Sequence, residues 1–165
     1  MKLRILTLLI LSSVLAKAQD FVISSAAKIT QPGYYALTKN ITAAAPAISV
    51  TSNDVTIDLQ DHVVTATGGG NVGIYLQGQN IKIRNGTIRG SGLNLSYCNS
   101  CVFEKLSVFT VAPIMAVTDY MGNGNWFRQC ILNGGILLLH TQNDIIEDSV
   151  GKTILQGPST NNITK

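Results

Sequence analysis

The chain has 165 residues, of which 45% are hydrophobic and 13% are charged, and its formal net charge is +3. Lys2, Arg4 and Lys17 lie in the first 18 residues, so the other 147 residues carry 12 − 3 = 9 basic and 9 acidic side chains. This balance leaves no basic footprint and argues against a nucleic-acid partner. A chain of this length suits one domain.

Residues 1–18 have the pattern of a secretory signal peptide. Two basic residues precede the apolar stretch Ile5–Leu15, and Ala16-Lys17-Ala18 has the small-x-small form of a cleavage site. The apolar stretch is shorter than the roughly 20 residues that a membrane span needs, and no later segment is long and apolar enough to be one. We therefore expect a secreted or periplasmic protein without a membrane span.

Residues 19–46 are predicted to form an N-terminal cap and the first strands. Ala43–Ala45 would cover the first coil of the repeats that fill residues 47–165. A solenoid needs such caps, because its terminal coils expose unpaired strand edges. No comparable cap is recognisable at the C-terminal end. Either the sequence is a fragment of a longer β-helix or its last coil docks onto another subunit, and on the second interpretation we expect a homo-oligomer that forms through that end.

Large apolar residues recur along these repeats at steps of 26, 20, 24 and 19 residues, about 22 on average, which is typical of a solenoid. These residues are Ile57, Ile83, Phe103, Phe127 and Ile146. Period-two alternation, abundant Val, Ile and Thr, and punctuation by Gly and Asn indicate strands. The sequence therefore predicts an all-β, parallel β-helix of about five to six coils.

Each coil is expected to hold two strand segments with paired inward residues. In the first segment the pairs are Ile48/Val50, Ile74/Leu76, Leu93/Leu95, Ile114/Ala116 and Ile136/Leu138. In the second they are Val55/Ile57, Ile81/Ile83, Cys101/Phe103, Asn125/Phe127 and Asp144/Ile146. The outward column of the first segment would be Ser49, Tyr75, Asn94, Met115, Leu137 and Leu155. Its apolar second half predicts a contact surface, burial under a loop, or a strand that is buried on both faces.

Two polar columns are predicted beside the core. Corner residues that tolerate left-handed backbone would stack as an Asn-rich ladder of Asp54, Asn80, Ser100, Asn143 and Asn162. An outward column alternates in charge at every coil, through Asp58, Arg84, Glu104, Arg128 and Glu147. Stacked opposite charges favour one register more than they add stability.

Three strings carry a family resemblance: QPGYYALTKNI at residues 31–41, IDLQDHVV at 57–64 and IKIRNGTIRG at 81–90. They resemble secreted right-handed parallel β-helix proteins of the pectin-lyase-like superfamily. The resemblance implies a right-handed β-helix, a fold used by polysaccharide lyases, glycoside hydrolases, adhesins and proteins of no known activity.

Candidate catalytic residues are few. Asp58, Asp61 and His62 flank one corner and could perform acid–base chemistry, although turn and stacking roles are the favoured interpretation. Lyases of this superfamily place several acids on one face to bind Ca²⁺, and no such cluster is recognisable. We therefore expect no metal site and no cofactor, with Ca²⁺ relevant only if the chain is a lyase.

Binding is the alternative to catalysis. Tyr75, Tyr97, Tyr120 and Trp126 could pack on sugar rings, and a loop is predicted over residues 119–126. The favoured function is an exported, non-catalytic scaffold that interacts with polysaccharide or a cell-surface component. A degenerate or truncated lyase or hydrolase and a self-associating structural module are the alternatives.

The chain has three cysteines, Cys98, Cys101 and Cys130. The Cys98–Cys101 pair could form a local disulfide, remain as buried thiols, or act in redox or metal chemistry. His140, alone at the end of an apolar strand, is interpreted as structural.

Overall fold

A computed structural model describes residues 20–68, 72–90, 92–111 and 113–165. The predicted signal peptide, residues 1–18, lies outside these ranges. The described strands are β1 (Asp20–Ile23), β2 (Ala27–Ile29), β3 (Gly33–Leu37), β4 (Ile41–Ala44), β5 (Ile48–Val50), β6 (Val55–Asp58), β7 (Val63–Thr67), β8 (Val72–Leu76), β9 (Lys82–Gly90), β10 (Gly92–Ser96), β11 (Val102–Thr110), β12 (Val117–Tyr120), β13 (Trp126–Arg128), β14 (Ile131–Asn133), β15 (Ile136–Leu139), β16 (Ile145–Glu147), β17 (Thr153–Gln156) and β18 (Ile163–Thr164).

The strands form two parallel sheets. The seven-stranded sheet has the order β2-β5-β8-β10-β12-β15-β17. The eleven-stranded sheet follows the path β1-β3-β6-β9-β11-β13-β16-β18, with β4, β7 and β14 paired beside it. The chain crosses from one sheet to the other in every coil, so the predicted parallel β-helix is confirmed as an all-β solenoid of about six turns.

A stacked apolar column sets the register of the eleven-stranded sheet. Ile57 lies opposite Ile83, which lies opposite Phe103, and the column continues through Phe127 to Ile146. The Phe103 and Phe127 rings stack with centroids 4.8 Å apart and an interplanar angle of 14°. All five side chains are buried, so the predicted register of this column is confirmed.

The register predicted for the seven-stranded sheet is wrong in one coil. Leu93 and Leu95 lie opposite Val117 and Asp119, not opposite Ile114 and Ala116. The second inward position of β12 holds an acid, Asp119. Because the prediction searched for two alternating apolar residues, it selected Ile114 and Ala116, three residues earlier.

The predicted outward column changes with this correction. Thr118 replaces Met115 between Asn94 and Leu137, and Ile154 replaces Leu155 opposite Leu137. Leu155 lies opposite the inward Leu138, although it is 55% exposed in the last strand of the sheet.

Corners require left-handed backbone, and polar residues supply it. Asp54, Asn80, Ser100 and Asn143 have φ between 54° and 57°. Asn80 Nδ2 donates to Asp54 Oδ1 over 2.9 Å, and Asn161 Nδ2 donates to Asn143 Oδ1 over 3.3 Å, so side-chain stacking is confirmed at these two pairs of corners. In the last coil the left-handed residue is Asn161, with φ 56°, and not the predicted Asn162.

The alternating charges stack as predicted, from Asp58 through Arg84, Glu104 and Arg128 to Glu147. Arg84 Nε lies 2.9 Å from Asp58 Oδ2, and Arg128 pairs with Glu104. Lys82 adds a third contact, with Nζ 2.9 Å from Glu104 Oε1. Asp58, Arg84, Glu104 and Arg128 are therefore paired along the outer face of the eleven-stranded sheet, and Glu147 follows them in strand register.

The two ends of the solenoid differ in their surroundings. Residues 20–44 form β1 to β4, and Ala43 and Ala45 pack against the core. At the other end β17 and β18 each pair on one side, and Ile154, Leu155 and Ile163 are exposed.

We predict that Ile83→Asp unfolds the solenoid or destabilises it by more than about 4 kcal/mol, because it buries a charge that has no partner. Ile131→Asp is the control, since Ile131 lies on the same sheet but is 47% exposed. Denaturant titration followed by circular dichroism measures both. An unchanged midpoint for Ile83→Asp would contradict the register.

Candidate functional site

Asp58 is the first of the predicted catalytic residues, and its carboxylate is already fully engaged. Oδ1 accepts from the Gln60 N–H at 3.0 Å and from Asn85 Nδ2 at 3.2 Å. Oδ2 accepts from Arg84 Nε at 2.9 Å and from the Tyr34 hydroxyl at 3.1 Å. These four donors match the roughly four lone-pair positions of a carboxylate, so none remains for a substrate.

The electrostatics of Asp58 agree with this geometry. Burial by itself raises the pKa of this carboxyl, but the hydrogen bonds and the Arg84 charge outweigh burial and hold the pKa below its usual value. An ionised, saturated carboxylate is a poor general acid or base at neutral pH.

The other two members of the predicted site do not complete it. Asp61 is exposed in the corner, where its φ is 61°, and the His62 N–H donates to the Leu59 carbonyl at 2.8 Å. No side-chain hydrogen bond joins Asp58, Asp61 and His62 among the described residues. We interpret all three as corner residues.

A buried polar cluster lies inside the solenoid instead. Asp119 and Asp144 are both fully buried, and Asn125 lies between them. Asn125 Nδ2 donates to Asp119 Oδ2 over 2.8 Å, while its backbone N–H donates to Asp144 Oδ1 over 2.8 Å. Asp119 Oδ1 and Asp144 Oδ2 have no hydrogen-bond partner in the described part of the chain.

Asn125 and Asp144 belong to a column in which each side chain accepts from the backbone of the preceding coil. Cys101 N–H donates to Asn125 Oδ1 at 3.0 Å, and Asp144 N–H donates to Asn162 Oδ1 at 2.8 Å. This internal ladder was partly predicted, because Asn125 and Asp144 were placed inward with Phe127 and Ile146. Asp119 was missed because residues 119–126 were expected to be a loop.

Asp119 has the strongest electrostatic perturbation of the buried carboxyls. Burial and then the neighbouring Asp144 raise the pKa of Asp119 to about 8, although the hydrogen bond from Asn125 opposes the rise. Burial also raises the pKa of Asp144. A glycosidase pairs one carboxylic acid of raised pKa with one ionised carboxylate beside the sugar. Here the pKa values of both groups are raised, and neither side chain has exposed surface with which to touch a sugar.

Close packing prevents Asp119 from reaching the surface. Its strand neighbours Leu95 and Leu138 are both buried. At the following corner, a Cβ added to Gly122 would collide with Asp119 Oδ1 and Asn125 Nδ2, so a larger residue there would displace these side chains. The cluster is therefore a structural element of the core.

Three of the predicted aromatic residues lie on one surface. Tyr75 on β8 and Tyr120 on β12 point outward from the seven-stranded sheet, and Tyr97 follows β10 at a corner. The Tyr97 and Tyr120 rings meet edge to face with centroids 5.8 Å apart. His140 extends the row, with its ring 6.2 Å from Tyr120. The interpretation of His140 as a structural residue stays a prediction.

Trp126 does not join this row. It lies on β13 in the eleven-stranded sheet, where the Arg128 guanidinium packs 4.7 Å from its ring centroid. Trp126 therefore lies on a different surface from the three tyrosines, and its role in ligand contact stays a prediction.

Small polar side chains separate the tyrosines. Asn94 and Ser96 point outward from β10, and Thr118 points outward from β12. We call this set of six residues the tyrosine face: Tyr75, Asn94, Ser96, Tyr97, Thr118 and Tyr120. Sequence reasoning named its tyrosines but could not group them, because the register of β12 was wrong.

The cysteines are free and buried in the structure, so the possible Cys98–Cys101 disulfide is not formed in it. Their sulfur atoms lie near backbone carbonyls, with Cys98 Sγ 3.4 Å from Leu76 O and Cys130 Sγ 3.5 Å from Phe103 O. Contact with Cys101 and burial raise the pKa of Cys98, so its thiol stays protonated.

No three His, Cys, Asp or Glu residues within the described ranges are arranged to hold a metal ion. The same part of the chain has no helix that is both long and apolar enough to cross a membrane.

Comparisons with known proteins add a structural neighbour. No protein-family model matches the chain, and no curated protein matches it in sequence. The solenoid is similar to the crystal structure of a protein from Parabacteroides merdae described as a "putative glycosyl hydrolase". The TM-score is 0.58 at 16% sequence identity, over 83% of this chain and 80% of that chain. The similarity supports the β-solenoid fold. It does not confirm membership of the pectin-lyase-like superfamily, which stays a resemblance.

The buried carboxyl predicts a pH-dependent stability. Because the pKa of Asp119 is about 8 in the folded chain and about 4 when unfolded, the folded state holds the proton more tightly. The stabilising contribution is complete below pH 4 and is lost as the pH rises toward 8. The slope from this group approaches about 1.4 kcal/mol per pH unit.

Asp119→Asn should flatten this fall and raise stability at pH 8, because the amide keeps the acceptor for Asn125 without a charge. Denaturant midpoints measured between pH 4 and pH 8 give the slope, with the exposed Asp61→Asn as control. Parallel profiles for the parent chain and Asp119→Asn would contradict the burial of a protonated Asp119.

Proposed function

We propose that the chain is an exported, non-catalytic β-solenoid that binds carbohydrate on the tyrosine face. The observation that carries this proposal is the placement of Tyr75 and Tyr120 with three small polar side chains on the outward face of one parallel sheet, where the Tyr97 ring at the corner after β10 packs against Tyr120. Tyrosine combines a flat apolar ring with a hydroxyl, and its two side-chain torsions cost little entropy to fix. Pyranose rings offer the matching surfaces, an apolar C–H face and a rim of hydroxyls.

The scaffold suits this task because it holds the face before a ligand arrives. Asn94 lies in strand register with Tyr75 and with Thr118, and the residues beneath them are buried. Because the side chains of such a surface are already ordered, binding a ligand loses less free energy to the immobilisation of side chains. Secretion is part of the proposal and rests on the pattern of residues 1–18.

The non-catalytic part of the proposal is supported by the placement of the acids. Asp58 is saturated by hydrogen bonds, and Asp119 and Asp144 are enclosed. Glycoside hydrolysis needs two carboxyl groups about 5–10 Å apart on either side of an accessible sugar bond.

A degenerate glycoside hydrolase is the second candidate, favoured by the description of the Parabacteroides merdae neighbour. Under this alternative the consecutive acids Glu147 and Asp148, at the end of β16, are the accessible carboxyls to test. Self-association through β17 and β18 is compatible with either function, since Ile154, Leu155 and Ile163 are exposed there.

Binding is tested with variants of the tyrosine face. Tyr120→Ala combined with Tyr97→Asn should weaken binding to an immobilised polysaccharide at least about tenfold, or about 1.4 kcal/mol. Asn suits position 97 because φ there is 54° and Asn tolerates left-handed backbone. Phe109→Ala is the matched control, an aromatic residue that is 38% exposed on the eleven-stranded sheet. Equal loss in the control would contradict the assignment of the surface.

Catalysis is tested separately on the purified chain. We expect no new reducing ends from glucan or xylan, and no unsaturated uronate from pectate with or without Ca²⁺. Reducing-end formation that Glu147→Gln abolishes would establish the hydrolase instead. Unsaturated uronate that a chelator abolishes would establish a lyase.

A further inference from the structure

The charged side chains of the solenoid are segregated between its two sheets. The outer face of the eleven-stranded sheet carries the ladder from Asp58 to Glu147 together with Lys82 and Arg89. In the described strands of the seven-stranded sheet, Lys28 on β2 is the one charged side chain directed outward. Asp119 belongs to this sheet but points into the core.

We propose that the tyrosine face recognises an uncharged glycan and discriminates against polyuronates. This inference rests on the proposed function, because it names the class of carbohydrate that the same surface binds. A polyuronate carries one negative charge per sugar, and its recognition requires Arg or Lys side chains or bridging cations. None of the six residues of the tyrosine face supplies a charge.

The uncharged groups that are present suit hydroxyl-rich ligands. A sugar hydroxyl both donates and accepts, and so do the Asn94 amide and the hydroxyls of Ser96 and Thr118. The Tyr75 hydroxyl lies 3.3 Å from Gln77 Oε1, which fixes its orientation. Toward β15 the surface continues through Leu137 and Leu139, which are apolar and half-buried. The chemistry along the sheet is therefore hydroxyl, amide, aromatic ring and aliphatic chain, which matches a neutral polysaccharide.

The charged side chains of the solenoid provide little attraction for a polyanion at the tyrosine face. The acids on the solenoid surface have partners chiefly on their own sheet, as Arg84 pairs with Asp58 and Lys82 with Glu104. Lys82, Arg84 and Arg128 are thereby paired with acids. Arg89 and Lys105 have no ion pair among the described residues, but they lie on β9 and β11 of the eleven-stranded sheet and not on the tyrosine face. Electrostatic attraction should contribute little, so neutral-glycan binding should be nearly independent of salt.

The experiment compares four soluble polymers by affinity electrophoresis and calorimetry: arabinoxylan free of uronate and mixed-linkage β-glucan as neutral probes, and polygalacturonate and alginate as acidic probes. We expect a neutral polymer to bind, with an affinity that changes less than about twofold between low salt and 0.5 M NaCl. The Tyr97→Asn/Tyr120→Ala chain should bind it at least about tenfold more weakly, and Phe109→Ala should bind it normally.

The outcomes separate this inference from the proposed function. Binding of an acidic polymer alone, lost in the Tyr97→Asn/Tyr120→Ala chain, would overturn the neutral specificity and leave the binding surface in place. If the Tyr97→Asn/Tyr120→Ala chain still binds a polymer as the parent chain does, or if the parent chain binds no polymer, both the neutral specificity and the proposed binding surface are overturned. Circular dichroism of each variant verifies that it is folded before binding is compared.

Discussion

Inward stacking of apolar side chains at every coil is the constraint on which the rest of the molecule depends. A solenoid coil has no core of its own and buries its inward residues only against the coils above and below it. Ile57, Ile83, Phe103, Phe127 and Ile146 meet this requirement in one sheet, each directly opposite the next. Shifting any of these strands by one residue would turn its apolar side chains to solvent.

This constraint leaves alternate residues free to vary, and the two sheets use that freedom differently. On the eleven-stranded sheet, the outward positions next to the inward apolar residues hold charged side chains that pair along the solenoid axis, such as Arg84 with Asp58. Outward positions of the seven-stranded sheet hold tyrosines, small polar groups and, farther along, leucines. A rigid core thereby presents two chemically different surfaces, and the uncharged surface is the one that we assign to carbohydrate.

The interior also changes along the axis. Ile81 and Cys101 occupy one inward column in the first coils, and Asn125, Asp144 and Asn162 continue the same column. Each of the last three accepts a hydrogen bond from the backbone of the coil before it, so the buried polar groups are largely satisfied. Within this cluster of described residues, Asp119 Oδ1 and Asp144 Oδ2 lack partners. Burial of the Asp119 carboxyl beside Asp144 is the reason that stability is expected to depend on pH.

Much of this architecture could be predicted from the sequence, because the recurring residue in the eleven-stranded sheet is always large and apolar. The same reasoning failed at β12, where Asp119 stands in an inward position and hides the alternation. That single acid shifted the predicted pair to Ile114 and Ala116 and separated Tyr120 from Tyr97. Grouping the tyrosines required the strand register, which local sequence does not encode when a buried carboxyl replaces an aliphatic residue.

The location of the ligand tests the central claim most directly. Backbone and side-chain NMR shifts of the isotopically labelled chain, recorded as a neutral polysaccharide fragment is added, map the contact residue by residue. We predict that the largest changes occur at Tyr75, Asn94, Thr118 and Tyr120. Changes concentrated at Arg84, Arg89 and Phe109 on the eleven-stranded sheet would contradict the account.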